Sequence, residues 1–492
     1  MKRFPAMRVC GLAAAVSAVM MLAGTTNALG DGLRTSTMGN CSIGLVDSDN
    51  QLNPYDFGGN PAFLLLDFET VWNRMIVSYD EQSGSLKRPY DPMLVNDSYI
   101  GFAGRRRLSE NQAIWGQFEY DRLWQREQPR SLEIDPYNDP FYLTDHTTGD
   151  FLYYGPSASV NYSLRLSPKV LLGAGFDYDI STGLKNKYTR PQIIHNYFHG
   201  NIGLIVEANP HWTLGLMARP LRIQNRTQFA QTDLGYDNQI FRYSGDAIYE
   251  IRSFQGYSIR ELLRGGELAV QNFYTSDQFR VGTILTYGLV ENKIMYNATN
   301  PEEAGFWQDE TIDFQLLARY TPKDMPFTLG LSGHAMNQDG WAKRPQFPNV
   351  LLYDNPIKLR SLGAGGSYLI RPLDLAVSAD YVLNAYDIEA DDFGANLFQH
   401  RRFTQNIGRM GLEYTAYNVF SLRGGVEVTD YVVDRWLKLP SNMDRYRFTA
   451  GGSYSWHLWQ VEAQLLYGRN TKENDDRERR DLSGMLWFTR SE

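Results

Sequence analysis

Thr311-Ile-Asp-Phe-Gln-Leu-Leu-Ala-Arg-Tyr320 alternates almost without fault. Ile312, Phe314, Leu316, Ala318 and Tyr320 fall on one side, and Thr311, Asp313, Gln315 and Arg319 on the other, with Leu317 the exception. A period of two belongs to a β-strand with one apolar and one polar face. The pattern recurs nearby. Met410, Leu412 and Tyr414 oppose Arg409, Gly411 and Glu413, while Phe420, Leu422, Val426 and Val428 oppose Ser421, Arg423, Glu427 and Thr429. From about residue 95 onward this one texture dominates, with no linker or compositional break.

The punctuation sets the topology. Tight-turn candidates fall at Ser109-Glu-Asn111, Ser167-Pro-Lys169, Asn209-Pro-His211, Ser276-Asp-Gln278, Pro322-Lys-Asp324, Arg371-Pro372, Ala416-Tyr-Asn418 and around His457. Their Asn, Asp, Ser and Pro residues supply hairpin-turn conformations. Longer polar connections span roughly 80–97, 125–153, 181–195, 224–260, 293–309, 338–357, 387–401, 431–444 and 468–480. Eight short and nine long connections in alternation predict about 18 strands, with 16 possible because the stretch at 71–80 is weak, while 224–260 has room for a further hairpin. Short turns on one rim and long loops on the other predict an all-β, transmembrane, antiparallel up-and-down β-barrel over residues 69–492. The alternative, a soluble sandwich, would need an unbroken series of strands longer than soluble domains usually carry.

The apolar face is then expected to meet lipid. Trp212, Phe279, Tyr320, Phe327, Tyr414, Trp456 and Trp459 lie near the short turns; Tyr79, Tyr120, Phe176, Tyr178, Tyr287, Tyr381 and Tyr467 lie toward the long connections. Two aromatic belts suit the two headgroup zones. Across 492 residues the net charge is −8 and the mean hydropathy −0.41. No apolar run of about 20 residues follows the N-terminal region, which excludes a helical membrane protein. The acidic balance argues against nucleic-acid binding.

Lys2, Arg3 and Arg8 precede the apolar core Gly11–Gly24, and Thr26-Asn-Ala28 or Ala28-Leu-Gly30 offers a cleavage site, so residues 1–30 read as a secretory signal peptide. Cys10 would leave with it, and Cys41 alone cannot form an internal disulfide. Closure of the β-ladder must hold the fold instead, because an unpaired backbone amide in hydrocarbon costs several kcal/mol. The final strand, Leu482–Phe488, carries an aromatic end of the kind barrel-insertion machinery reads, although Thr489–Glu492 trail it.

Residues 31–68 do not alternate and are expected to be periplasmic or lumenal. Here the Asn60-Pro61-Ala62 step after the Gly58-Gly59 pair resembles the N-terminal region of FadL-like transport barrels. The resemblance implies a segment folded into the lumen as a hatch, although that family's usual barrel has fewer strands than are counted here. Asp47 and Asp49 suggest a calcium loop only superficially, since Leu52 and Gly58 stand where Gly and Glu are needed.

Alternation places a mixed-charge set on the lumen face: Asp177, Asp313, Arg319, Asp380, Arg409, Glu413, Arg423, Glu427, Arg445 and Arg447, with Glu119, Asp121, Arg165, Asp179, Glu207, Arg219, Arg280 and Glu462. Such residues either brace the wall through cross-strand pairs or contact solute directly. No catalytic constellation is visible. His195 and His199 would stand about 13 Å apart on a strand, too far for one metal, and Gly363-Ala-Gly-Gly366 lies inside a strand.

These features predict a bacterial outer-membrane channel, porin-like, for passive diffusion or facilitated uptake of small solutes, without enzymatic activity, metal or cofactor. Its partners would be outer-membrane lipid and lipopolysaccharide, the solute and the insertion machinery. Two alternatives stand beside it. One is a FadL-like transporter capturing hydrophobic compounds through loop residues such as Phe306, Trp307 or Phe393. The other is a non-conducting structural or adhesive barrel displaying the acidic loops Glu302-Glu303, Asp391-Asp392 and Glu473–Asp476.

Overall fold

A computed structural model describes residues 59–491, apart from 67–70, 134–136, 138–139, 188, 230–238, 246–247, 254–257, 297–300, 324, 345–350, 417–418, 431–442 and 473–474. The expected signal peptide, the segment 31–58 and Cys41 lie outside the described residues.

Eighteen strands form the wall. The first seven are β1 (Trp72–Gly84), β2 (Leu94–Ser109), β3 (Gln112–Ser131), β4 (Leu143–Ser167), β5 (Val170–Lys185), β6 (Pro191–Asn209) and β7 (Trp212–Phe229). A hairpin of two short strands, β8 (Gln239–Ser244) and β9 (Ile248–Ser253), follows within the next connection. The wall resumes with β10 (Ser258–Thr275), β11 (Phe279–Tyr296), β12 (Glu302–Tyr320), β13 (Phe327–Lys343), β14 (Leu351–Ile370) and β15 (Leu375–Asp392). It ends with β16 (Leu397–Ala416), β17 (Phe420–Asp430), β18 (Met443–Trp456), β19 (Trp459–Lys472) and β20 (Asp475–Ser491).

Each wall strand pairs antiparallel with its neighbours; β7 pairs with β10 across the hairpin insertion, and β20 returns to β1. The closing seam runs from Trp72↔Ser491 to Gly84↔Arg479. Among the described residues every wall strand thus has a paired neighbour on both sides, the condition for crossing hydrocarbon with strands.

Side-chain parity follows from one contact. A short 3-10 turn, Pro61–Leu65, packs against β3, β4, β5 and β6, while its cap Asn60 reaches β7 and β10. Only the interior of a ring reaches so many consecutive strands at once. Leu171, Ile205 and Phe273 pack on this turn and face inward, and cross-strand register carries that parity round the whole barrel. The other face carries the exposed apolar side chains, such as Leu268 at 62% and Leu362 at 67%. Trp212, Phe279, Tyr414, Trp456 and Trp459 are exposed near the short-turn rim, and Tyr120, Phe176, Tyr287, Tyr381 and Tyr467 toward the other.

All eight expected short turns join wall strands where the sequence placed them. The long connections are shorter than expected, because strands continue past the apolar band. β4 alone has 25 residues, against the roughly 9–11 a bilayer crossing needs. Above the band the outer face meets water, so the ladder continues after the apolar alternation stops. Asp391-Asp392, Glu302-Glu303 and Asp475-Asp476 consequently stand at the ends of β15, β12 and β20 rather than in loops, and Phe306 and Trp307 belong to β12.

On two strands the pattern inverts instead of fading. Leu214 and Leu216 point outward on β7, whereas Leu221 and Ile223 point inward and Arg222 and Arg226 outward. Opposite them on β10, Leu268 and Val270 point outward, but Ile259 and Leu263 inward and Arg260 and Arg264 outward. Pro220 and Gly266 are register partners at the change of phase.

Candidate functional site

Three layers of side chains occupy the lumen. The lowest, at the short-turn rim, is the turn Pro61–Leu65. Pro61 supplies the preset φ of a helical first position, and the Asn60 side chain accepts the Ala62 N–H at 3.0 Å as its cap. The same Asn60 amide donates to Gln271 Oε1 at 2.9 Å and to the Leu216 carbonyl at 3.3 Å. Asn201 donates to the Gly59 carbonyl at 2.7 Å, and the Ser163 hydroxyl to the Ala62 carbonyl at 2.9 Å. Phe63 meets Phe273 edge to face, with ring centroids 4.9 Å apart. Ala62, Phe63, Leu64 and Leu65 are buried with Ala113, Leu171, Ile205 and Phe273. Glycines admit the plug: a Cβ on Gly173 would collide with the Ala62 backbone, and one on Gly203 with the Asn60 side chain.

The middle layer is charged, and its two sides differ. On β15–β19 opposite charges are paired across the ladder. Arg409 reaches Glu427 at 2.8 Å and Asp380 at 3.7 Å, and Arg447 reaches the second Glu427 oxygen at 3.4 Å. Arg423 lies between Glu413, at 3.3 Å, and Glu462. On β1, β2, β3 and β5 the inward charges are Asp80, Asp97, Glu119, Asp121, Asp177 and Asp179. Among the described residues, no Lys or Arg stands in the inward rows of β1–β5 between Arg74 and Arg105 below and Lys185 above. Asp80 and Asp97 are direct register partners. This sector presents a carboxylate wall, and the β15–β19 sector a nearly neutral one.

The uppermost layer is apolar. Leu221, Ile223, Leu263, Ile294 and Trp307 of the wall pack with Leu132 and Phe141 from the β3–β4 connection, with Leu143 at the start of β4 and with Ile240 of β8. Leu143↔Arg242 and Thr144↔Phe241 join β4 to β8, and Tyr142 stacks on Tyr243 at 4.6 Å. Arg242 lies over the Tyr296 ring at 3.9 Å and pairs with Glu250 of β9 at 2.9 Å. Arg344, just beyond β13, binds the other Glu250 oxygen; burial, then the Arg242 charge, holds its guanidinium below the usual range. A buried Lys185–Asp145 pair at 2.8 Å fastens the upper part of β4 to β5.

The sequence-predicted residues therefore separate into groups. Asp380, Arg409, Glu427 and Arg447 form one network, and Glu413 and Arg423 another with Glu462. Arg445 donates to Asn470 at 2.8 Å. Asp313 is bonded by His334 and by Gln315 at 2.7 Å. Asp177 meets His199 at 3.2 Å. Arg319 lies near the short-turn rim as the register partner of Arg280. His195 lies against Asn225 at 2.6 Å, on the same strand face as His199. Of the proposed capture residues, Trp307 is buried inside, Phe306 packs on Trp341 with centroids 5.4 Å apart, and Phe393 meets Phe398 at 5.7 Å.

The β8–β9 hairpin falls within 224–260, where the sequence left room for one, but its capping role and the apolar upper lumen were not expected from the sequence. The inverted phase of β7 and β10 was the available signal. Among the described residues, Asp387, Glu389 and His400 bring donor atoms within 4.8 Å of one another, but on the outer face, where Arg402 already holds Asp387 at 3.1 Å.

The family described as a family of unknown function (DUF6850) matches residues 61–483, from the plug to the last strand. The chain belongs to that family. No curated protein matches this DUF6850 chain. Among solved structures it is similar to the CymD monoaromatic hydrocarbon channel, with 14% identity over 92% of this chain and 98% of that one, at a TM-score of 0.33. It is also similar to the siderophore receptor PiuA from Acinetobacter baumannii, with 8% identity over 86% and 82% and a TM-score of 0.42. The Pseudomonas putida toluene transporter TodX gives 12% identity over 92% and 96%, at 0.34. At these TM-scores none of the three carries register, cargo or mechanism over to the DUF6850 chain.

Proposed function

We propose that this barrel is a gated bacterial outer-membrane channel for small solutes. The observation that carries the reading is the Asn60–Leu65 segment inside the lumen. It is seated at one rim by side-chain hydrogen bonds and one compact apolar contact, in a ring that is otherwise self-sufficient. A purely structural barrel has no need of such a stopper. The apolar cap narrows the opposite mouth, so the described conformation is occluded toward both rims along the β3–β14 sector.

The lining supports a preference among solutes. The cap offers apolar surface to an arriving molecule, and below it the carboxylate wall lowers the energy of a cation relative to an anion. Cationic and neutral solutes carrying an apolar group therefore suit the path better than anions.

Planar-bilayer recording tests this. The full chain should show a small conductance, and a variant lacking residues 59–66 a larger, cation-selective one, read from its reversal potential in a salt gradient. If the deleted barrel inserts and never conducts, the non-conducting structural reading takes its place.

A further inference from the structure

We infer that the lumen holds, directly beneath the cap, a binding site for a protonated amine carried on an apolar group. Asp179, His195 and Tyr197 would take the ammonium, and Ile223 and Leu263 the apolar end. The inference deepens the channel reading above and rests on it. Two neighbouring inward rows build the site. In one, Ser181 of β5, His195 of β6, Asn225 of β7 and Glu261 of β10 are successive register partners; in the other, Asp179, Tyr197, Ile223 and Leu263 are.

The first row fixes where the protons lie. The Asn225 amide donates to Glu261 Oε2 at 2.9 Å, so its carbonyl oxygen faces His195. That oxygen can only accept, and it lies 2.6 Å from His195 Nδ1, so Nδ1 carries the N–H. In a neutral imidazole the second nitrogen, Nε2, is then a bare acceptor. It faces the Asp179 carboxylate at 3.8 Å, too far for a hydrogen bond. Two acceptors thus confront each other across a gap, and a donor nitrogen about 2.8 Å from each would satisfy both.

A second observation points to the same place. Tyr197, beside Asp179 in register and inward on the same face, is only 4% exposed, and its hydroxyl has no hydrogen-bond partner among the described residues. Leaving such a buried group unpaired is costly. An ammonium brings three N–H groups, one each for Asp179, His195 Nε2 and the phenol oxygen. A bare metal ion suits the lumen less. Among the described residues, the set of three His, Asp or Glu donors close enough for one ion is the one on the outer face, at Asp387.

The row itself sets the rest of the ligand. Strands lie about 4.8 Å apart, so Ile223 stands about 10 Å and Leu263 about 14 Å from Asp179. Both pack with Tyr197 in the apolar cluster of the cap. A ligand with its ammonium between β5 and β6 therefore lays an aryl or alkyl group along β7 and β10.

Isothermal titration of the full chain in detergent tests this, with 2-phenylethylamine as probe against neutral 2-phenylethanol and anionic 3-phenylpropionate. The amine should bind tightest and the carboxylate weakest. Tyr197→Phe removes only the unpaired hydroxyl, so it should melt no earlier than the natural chain yet bind the amine about tenfold more weakly. Asp179→Asn should lose at least as much, whereas Asp387→Asn, the same charge change on the outer face, should lose nothing. No binding of the amine, equal affinity for amine and alcohol, or amine affinity unchanged in both Tyr197→Phe and Asp179→Asn overturns the site. Conductance of the barrel lacking residues 59–66 is read separately. Cation-selective conduction without amine preference would remove the site and leave the channel, and amine binding to a barrel that never conducts would remove the channel and leave the site.

Discussion

Asn60, on the plug, and Gln271, on β10, are joined by a buried hydrogen bond of 2.9 Å although they are 211 positions apart. Asn60→Ala removes this bond, the contact to Leu216 and the cap on Ala62. Together these amount to about 2–3 kcal/mol, roughly a hundredfold shift toward the undocked plug. The expected outcome is a higher open probability in planar bilayers with unchanged heat-modifiability. Gln271→Ala should act in the same direction, and the double variant should add less than the sum of the two. Strict additivity would mean that the bond does not hold the plug.

The wall offers a complementary test. Gly203→Ala and Gly173→Ala place a methyl group where the Asn60 side chain and the Ala62 backbone lie. Both positions have strand backbone that alanine adopts readily, so the wall should survive while the plug is expelled. Limited proteolysis should then cut near residues 59–66 in the variants and spare the natural chain. Protection in both variants would show that the plug can shift without leaving.

The wall was readable from sequence because lipid enforces a rule on it: Ile312 and Phe314 must face out, so Asp313 and Gln315 face in, and the turn residues between such runs mark one rim. Asn60-Pro61-Ala62 was visible as a stopper through resemblance rather than periodicity. The apolar upper lumen was hidden because a period of two fixes alternation and not phase. Leu221 and Ile223 alternate as well as Leu214 and Leu216 do, but they point the other way once the strand has left the bilayer. The Gln239–Ser253 hairpin escaped notice as a cap because its apolar residues contact strands distant in sequence. Arg409–Glu427 and Glu413–Arg423 were legible as neighbours, since counting from a turn gives register.

Arg423 bonds Glu413 and Glu462, and all three side chains are more than nine-tenths buried. Arg423→Gln strands two carboxylates beside each other. Breaking a buried pair costs about 3–5 kcal/mol, and the lower end is expected in a lumen wetter than a core. The gel-shift unfolding temperature should therefore fall. Adding Glu413→Gln and Glu462→Gln should recover most of the loss, because the uncompensated charge is then gone. If the single variant melts with the natural chain, water or ions already screen this network, and its role belongs to conduction rather than stability.

The cap makes the last prediction. Tyr142 and Tyr243 stack at 4.6 Å, and the Tyr243 N–H donates to the Tyr142 carbonyl at 2.9 Å. Antiparallel partners have Cα atoms about 4.5–5.5 Å apart, within the span a disulfide tolerates. Tyr142→Cys/Tyr243→Cys, made with Cys41 replaced by Ser, should oxidise readily and pin the β8–β9 hairpin to the entry of β4. If this hairpin must move for solute to enter, oxidation should suppress conductance in the barrel lacking residues 59–66, and reduction should restore it. Because the plug is already absent, any loss is assigned to the cap. Unchanged conductance on cross-linking would place the solute path through the β15–β20 sector, along the paired Arg409 and Arg423 networks, and leave the apolar layer as packing alone.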